Sequence, residues 1–369
     1  MSSAPLRVGM VGVGTISAQY FASFEKLPNL QLVAVADINE ERAREVAAEH
    51  GVDARSVDDL FASDDIDAVL NLTIPATHVD VGLRAIEHGK HVFAEKPLGL
   101  SVTEARPLVE AADAAGVLLG SAPDTVLGTG IQTARAVIDD GVIGDVLGAS
   151  VHWSAPGHER WHPNPAFYYQ PGGGPLLDMG PYYITSLVTL FGPIIRVSGL
   201  ATRSDRPRTV ATGPQAGTPI PVAIDTHVTA LLEHESGVSS QITVSFEVWA
   251  TRSPLFEVYG TKGTLAVPDP NRFNDPVEVY TADTAEWRAV PETAGYRDSG
   301  RGYGLAELAE ALHNNRQPRA SGALALHVLD VMESIARAAD ERSVVTLHTT
   351  VERPETVPLS DRPEASENS

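Results

Sequence analysis

The stretch Leu6-Arg7-Val8-Gly9-Met10-Val11-Gly12-Val13-Gly14-Thr15-Ile16-Ser17 decides how the rest of this chain is read. From Leu6 to Val13 it alternates and is rich in valine, as a strand is. It then breaks at Gly12-Val13-Gly14, and a helical pattern follows through Tyr20, Phe21 and Phe24. Strand, glycine turn and helix, in that order, can seat a pyrophosphate on the positive end of the helix. Gly12 permits the tight turn, Gly14 lets the backbone approach the ligand, and Thr15 and Ile16 lie beside it. Ser17 replaces the third glycine of the dinucleotide fingerprint and is small enough for close helix packing.

A second strand, Leu32 to Ala36, ends in Asp37, about twenty residues beyond the glycines, where an acidic side chain accepts hydrogen bonds from the adenosine ribose. The carboxylate would repel the 2′-phosphate of NADP and no arginine follows it directly, so NAD is the expected cofactor and NADP the less favoured one. Asp37 also suits the N-cap of a helix over 39–50, and both roles can hold together. A third strand, Ile66 to Leu72, leads to Thr73-Ile74-Pro75, expected beside the nicotinamide half, and to a helix opened by Thr77 with Asp80 and closed at Gly89. Next comes His91-Val92-Phe93-Ala94-Glu95-Lys96-Pro97. Pro97 cannot continue a ladder, so the chain turns out of the sheet at Glu95-Lys96 and places Lys96 at the ligand crevice, with Glu95 beside the cofactor. A helix capped by Ser101 and a strand over 117–120 complete a regular alternation. The pattern predicts an α/β, Rossmann-type doubly wound parallel sheet over 1–124.

Beyond Asp124 the rhythm changes to hairpins. Strands are expected over 145–154, 194–203, 226–234, 238–248, 255–259 and 265–267, with helices over 130–139, 304–314 and 323–339. This predicts an α+β domain over 125–352 with a large, mostly antiparallel sheet, whose two late helices pack back toward the first domain. The Pro-, Gly- and Thr-rich segment 206–221 reads as a loop, and 353–369 as a disordered tail.

Composition sets limits. A chain of 369 residues with 43% hydrophobic content suits about two domains. It has no cysteine, which removes disulfides, thiolate metal sites and a cysteine nucleophile. The net charge of -21 argues against nucleic acid or an anionic membrane as partner. Neither a membrane-length apolar run nor a signal-peptide pattern is present, so a soluble, cytoplasmic protein is expected. The histidines show no metal-ligand spacing, and no catalytic metal is expected.

A second chemical stretch combines Trp161-His162-Pro163 with Gly172-Gly173-Gly174-Pro175-Leu176-Leu177-Asp178-Met179-Gly180-Pro181-Tyr182-Tyr183. The glycines would allow close approach to a ligand. Asp178 and Tyr182, at i and i+4 on one helix face, could address one hydroxyl-bearing carbon, with Lys96 completing a proton-handling set. Asp124, His158, His162 and Tyr183 are further candidates for substrate contact. Asp178 as a helix cap and Tyr182 as a core residue are the structural alternatives.

The glycine turn, Glu95-Lys96-Pro97 and the Gly-Gly-Gly, Asp178, Gly180, Tyr182 pattern together resemble the glucose-fructose oxidoreductase / inositol dehydrogenase / rhizopine catabolism (Gfo/Idh/MocA) family. The resemblance implies hydride transfer between NAD(P) and a hydroxyl or carbonyl carbon of a sugar, glycoside or polyol bound between the domains. It also implies a homodimer or homotetramer through the open sheet. The family's motif lysine falls on Lys96 and its aspartate on Asp178. Its usual histidine falls on Tyr182, as in the branches where a tyrosine is the acid/base, with the lysine lowering the phenol's pKa from about 10. Lys96 as base with Tyr182 as donor is the other assignment. By the same resemblance, the loop of Trp161 and His162 covers the cofactor and substrate cleft. Two other functions fit the same residues: a redox-neutral glycosidase using bound NAD, and a non-catalytic sugar- or NAD-sensing protein.

Overall fold

A computed structural model describes residues 4–363 of the chain. Strands β1 (Leu6–Val11), β2 (Leu30–Ala36), β3 (Asp53–Ala54), β4 (Ala68–Asn71), β5 (His91–Ala94) and β6 (Leu119–Ser121) form a fully parallel sheet. Their order is β3-β2-β1-β4-β5-β6, the doubly wound order whose reversal lies between β1 and β4. The crossovers carry helices α1 (Ser17–Phe24), α2 (Glu40–His50), α3 (Val57–Ala62), α4 (His78–Glu87) and α5 (Val102–Ala115). Every residue of β4 is buried, as a parallel sheet covered on both faces requires. The two-residue β3 and the short α3 are not legible in the sequence because neither is long enough to show a period.

Thr77 stands at the N-cap of α4, where the sequence predicts the helix to open, but its side chain makes no capping bond: Pro75–Thr77 form a 3-10 turn that runs into the helix, and the Thr77 hydroxyl donates to Ile74 O at 3.0 Å. Proline is preorganised for the first position of such a turn and starts it early. Ser101 does cap α5, its hydroxyl accepting from Glu104 N at 3.2 Å.

The later helices are α6 (Thr129–Asp139), α7 (Pro175–Phe191), α8 (Tyr303–His313) and α9 (Gly322–Glu341). The second sheet is built from β7 (Val146–Ser154), β8 (Ile194–Thr202), β11 (His227–His234), β12 (Ser239–Ser245), β13 (Phe256–Gly260), β14 (Gly263–Ala266), β15 (Val277–Thr281), β16 (Trp287–Val290) and β17 (Val345–Thr346). A separate ribbon pairs β9 (Arg208–Thr209) with β10 (Pro219–Ile220). The sheet order is β16-β15-β14-β13-β7-β12-β11-β8-β17, antiparallel except where β12 runs parallel to β7. Val228, Ala230 and Leu232 of β11 face inward and alternate with Thr229 and Leu231 facing outward.

The chain divides into two compact units. One takes the residues through Gln132, Glu292–Leu329 and those from Pro354 on; the other takes Thr133–Pro291 and Asp330–Arg353. Segment 292–329 therefore belongs with the parallel sheet rather than to a continuous domain over 125–352. There α8 packs on β5 and β6.

One expectation of irregular structure is refined and another corrected. Segment 206–221 is mostly loop, as expected, but it carries the short β9–β10 ribbon, and Val210 and Ile220 enter a small core with Tyr169 and Phe246. The supposed disordered tail is ordered from Pro354 to Pro363. Val357 is fully buried, its N–H donates to Gln132 Oε1 at 2.9 Å, and Pro358 and Ser360 bridge to Ala294 and Tyr296. One buried valine and backbone pairing hold a stretch whose composition is otherwise that of a linker. The remainder of the supposed tail, 364–369, lies outside the described residues.

Candidate functional site

In the first unit, Gly12 has φ +94°, and a Cβ there would lie 2.8 Å from the Leu72 carbonyl carbon and oxygen. Glycine is thus required where the turns after β1 and β4 touch, at the reversal of strand order. A Cβ on Gly14 would instead meet nothing within 4 Å. The backbone there faces open space rather than protein, which suits a pyrophosphate lying against it. Thr15 is exposed beside it and Ile16 half-buried.

The Asp37 carboxylate is engaged by the protein itself, with Oδ2 accepting from Val13 N at 2.9 Å and Oδ1 from Asn39 N at 2.9 Å. The cap of α2 is Asn39, whose side chain accepts from Arg42 N. Asp37, Asn39 and Arg42 line a cleft of about 540 Å³ together with Gly14, Thr15 and Ser17. Arg42 is an unexpected member of this cleft. It lies in the first turn of α2, and its guanidinium pairs with Glu45 at 3.2 Å. These residues fit the adenosine half of a dinucleotide.

The turns after β4 and β5 are tied together by the histidine that opens α4. His78 is buried, with Nδ1 2.7 Å from Pro97 O and Nε2 3.0 Å from Thr73 O. It thereby couples Thr73-Ile74-Pro75 to Glu95-Lys96-Pro97. Thr73 is held further by Asn71, whose Oδ1 accepts from its hydroxyl at 2.6 Å, while Ile74 is exposed. Glu95, expected on the cofactor, is turned inward: it accepts from Tyr20 Oη at 2.8 Å and Lys96 N at 3.0 Å. The glutamate shapes the turn that carries Lys96.

In the second unit, Gly174 is the N-cap of α7, Pro175 its first residue, and Asp178 lies in its first turn. Asp178 is therefore not the cap. Its carboxylate Oδ2 lies 2.9 Å from His158 Nε2, and His158 Nδ1 lies 3.2 Å from the indole nitrogen of Trp161. Tyr182 follows one turn later on the same face and is buried. His162 stacks edge-on to Trp161, Phe167 and Tyr168 at ring distances of 5.3 to 5.5 Å, and its Nδ1 accepts from Asn164 N. Trp161 and Phe167 are exposed, forming an aromatic rim to this arrangement.

The sequence matches an oxidoreductase family with an NAD-binding Rossmann fold, GFO/IDH/MocA, over residues 6–122, and the GFO/IDH/MocA C-terminal domain over residues 131–266. The chain belongs to the Gfo/Idh/MocA oxidoreductase family. Among similar proteins, inositol 2-dehydrogenase 3 of Saccharopolyspora erythraea is 30% identical over 77% of this chain and 80% of its own. Trans-1,2-dihydrobenzene-1,2-diol dehydrogenase of Bos taurus is 28% identical over 72% of this chain and 75% of its own. Apo levoglucosan dehydrogenase shares the fold at a TM-score of 0.82 and 20% identity, covering 95% of this chain and 100% of its own. The protein is an NAD-binding oxidoreductase.

Several residues expected at the site of this Gfo/Idh/MocA protein are structural instead. Asp124 is 0% exposed, and its Oδ2 accepts from Gly302 N at 2.9 Å and Gly304 N at 3.0 Å, fastening the start of α8. Tyr183 is 0% exposed, its hydroxyl donating to Asp269 at 3.0 Å; burial and that carboxylate push its pKa well up. It follows Tyr182 by one residue and so points off the shared face of the helix. Of the glycines before α7, Gly173 serves the chain itself: a Cβ there would lie 2.4 Å from Phe167 O. A buried ionic cluster has no counterpart in the sequence reading, with Arg208 between Glu159 at 2.9 Å and Glu247 at 2.6 Å. Arginine and glutamate separated by tens of residues give no local signal, and only the ribbon brings them together.

Proposed function

We propose that the protein is an NAD-linked dehydrogenase or reductase acting on a hydroxyl or carbonyl carbon of a sugar, glycoside or polyol, with Lys96, Asp178 and Tyr182 handling the proton. The observation that carries this reading is the α7 face that pairs Asp178, held by a buried imidazole, with Tyr182 one turn on. The dehydrogenases and reductases among the relatives support the substrate class. NAD, when bound, supplies the hydride acceptor; Gly12, Gly14, Thr15, Asp37 and Thr73 would hold it.

The chain's own residues manage the proton and the charge. Tyr182 takes the hydroxyl proton in oxidation and returns it in reduction, Asp178 accepts a hydrogen bond from the substrate, and Lys96 stabilises negative charge on the reacting oxygen. Trp161 and His162 screen the site from water. The Asp37 carboxylate favours NAD over NADP. The open face of the second sheet, which exposes Leu200, Leu231, Tyr259 and Trp287, joins two copies of the chain, and the protein works in the cytoplasm.

The test is NADH absorbance with purified protein, NAD or NADP, and a panel of sugars, glycosides, inositols and polyols, with product analysis. NADH formed with one substrate class supports the reading. Substrate consumed without NADH would replace it with a redox-neutral glycosidase, and NAD binding without turnover of any compound would replace it with a sensor.

A further inference from the structure

In the second unit one imidazole is aimed at the Asp178 carboxylate and is prevented from turning away. His158 is 6% exposed, and its Nε2 lies 2.9 Å from Asp178 Oδ2. Its Nδ1 lies 3.2 Å from Trp161 Nε1. An indole N–H can only donate, so Nδ1 accepts and carries no proton. The single ring proton is then on Nε2, donated to Asp178. A doubly protonated ring would set one N–H against another at Trp161, so the pair is a neutral imidazole on a carboxylate.

The ring is fixed from several sides. Tyr168 lies 4.5 Å from it, Phe246 4.6 Å and Trp153 6.0 Å, centroid to centroid. The His158 backbone N–H donates to Tyr169 Oη at 3.1 Å, the Tyr169 hydroxyl donates to Glu159, and Arg208 donates to Glu159 at 2.9 Å. Arg208 and Glu159 are both buried. Arg208 Nε is buried without a hydrogen bond, but the packed rings and the remaining pairs hold one geometry, because displacing them would leave further buried polar groups unmatched.

We propose that His158 is a positioning residue: through the Nε2–H bond it presents the Asp178 carboxylate to the substrate hydroxyl in one orientation, and Trp161 selects the tautomer that can do so. The proposal rests on the reading that Asp178 serves the reaction. A partner that only orients a functional group still matters at the tenfold to hundredfold level, because a group freed to rotate must be re-ordered at each turnover.

Two measurements on the full-length protein with NAD bound decide it. Nitrogen NMR with isotope-labelled histidine, assigned by His158→Phe, should show Nε2 protonated and Nδ1 bare, and Trp161→Phe should mix the tautomers. A wild-type ring protonated on Nδ1, or already mixed, overturns the proposal. On a substrate from the panel, His158→Phe should lower turnover about tenfold to a hundredfold with the KM for NAD unchanged. His158→Gln, whose amide N–H reaches the same carboxylate, should restore much of it. The double variant with Asp178→Asn should be no slower than Asp178→Asn alone, because the histidine acts through the aspartate. His158→Phe at the wild-type rate, or additive losses in the double variant, overturns the positioning role alone. Asp178→Asn at the wild-type rate overturns the reading beneath it.

Discussion

Replacing Asp37 by alanine separates its structural role from the ribose contact proposed for it. The carboxylate accepts from Val13 N and Asn39 N, each at 2.9 Å. Asn39 is exposed and its amide can turn to water, whereas Val13 is 1% exposed and its N–H would be left unmatched. That costs about 1–3 kcal/mol, or roughly 2–12 °C in Tm for a unit of this size. The proposed ribose contact would add a different loss. Hydrogen bonds to a carboxylate contribute about 1.5–3 kcal/mol, so NAD affinity should fall roughly 10- to 150-fold. NADP should lose less, because removing the negative charge also removes repulsion of its 2′-phosphate. Calorimetric titration with both cofactors, alongside melts without cofactor, measures all three quantities. A lowered Tm with equal affinity losses for NAD and NADP would refute the ribose role, because a distorted glycine turn harms both alike.

Lys96→Ala and Tyr182→Phe should each lower turnover by at least about a hundredfold while leaving the Kd for NAD in place; single-turnover rates and titrations check this. Arg208→Met removes the nearer of two arginines shared by Glu159 and Glu247, leaving Arg206 at 3.8 and 3.4 Å, and should destabilise the second unit by about 1–3 kcal/mol, read as a shift in denaturant midpoint. Burial lowers the pKa of His234 from 6.5 to about 4. The folded state therefore binds fewer protons than the unfolded one between those values. This contribution to stability is complete above about pH 6.5 and disappears as pH falls through 4, amounting to ~3 kcal/mol. His234→Gln should flatten that acid limb in melts taken across the range. Leu231→Glu, on an open-face leucine that is 60% exposed, should halve the mass seen by light scattering if the sheet joins two copies.

The first unit is readable because parallel α/β structure is written locally. Alternating strands, glycine turns and capped helices each occupy about ten residues, and their order dictates the sheet. The second unit yields its early hairpins, whose turns carry glycine, but not β15, β16 or β17, which lack strong turn signals and pair with distant or exposed neighbours. Asp124 and Tyr183 look like site residues because polar groups near a motif look chemical. Burial and the partners Gly302, Gly304 and Asp269, all distant in sequence, assign them to structure.

By itself the sequence determined the dinucleotide turn at Gly12 and Gly14, the lysine at the end of β5, and the aspartate and tyrosine spaced one turn apart on α7. Each depends on residues within a helical turn or a strand of one another. Only the tertiary structure decided what holds them. His78 joining two loops, Tyr20 turning Glu95 inward, and His158 reaching Asp178 under a cover of aromatic rings all depend on side chains that meet across elements. Such contacts follow from packing and polar satisfaction over the whole unit, and no local periodicity encodes them.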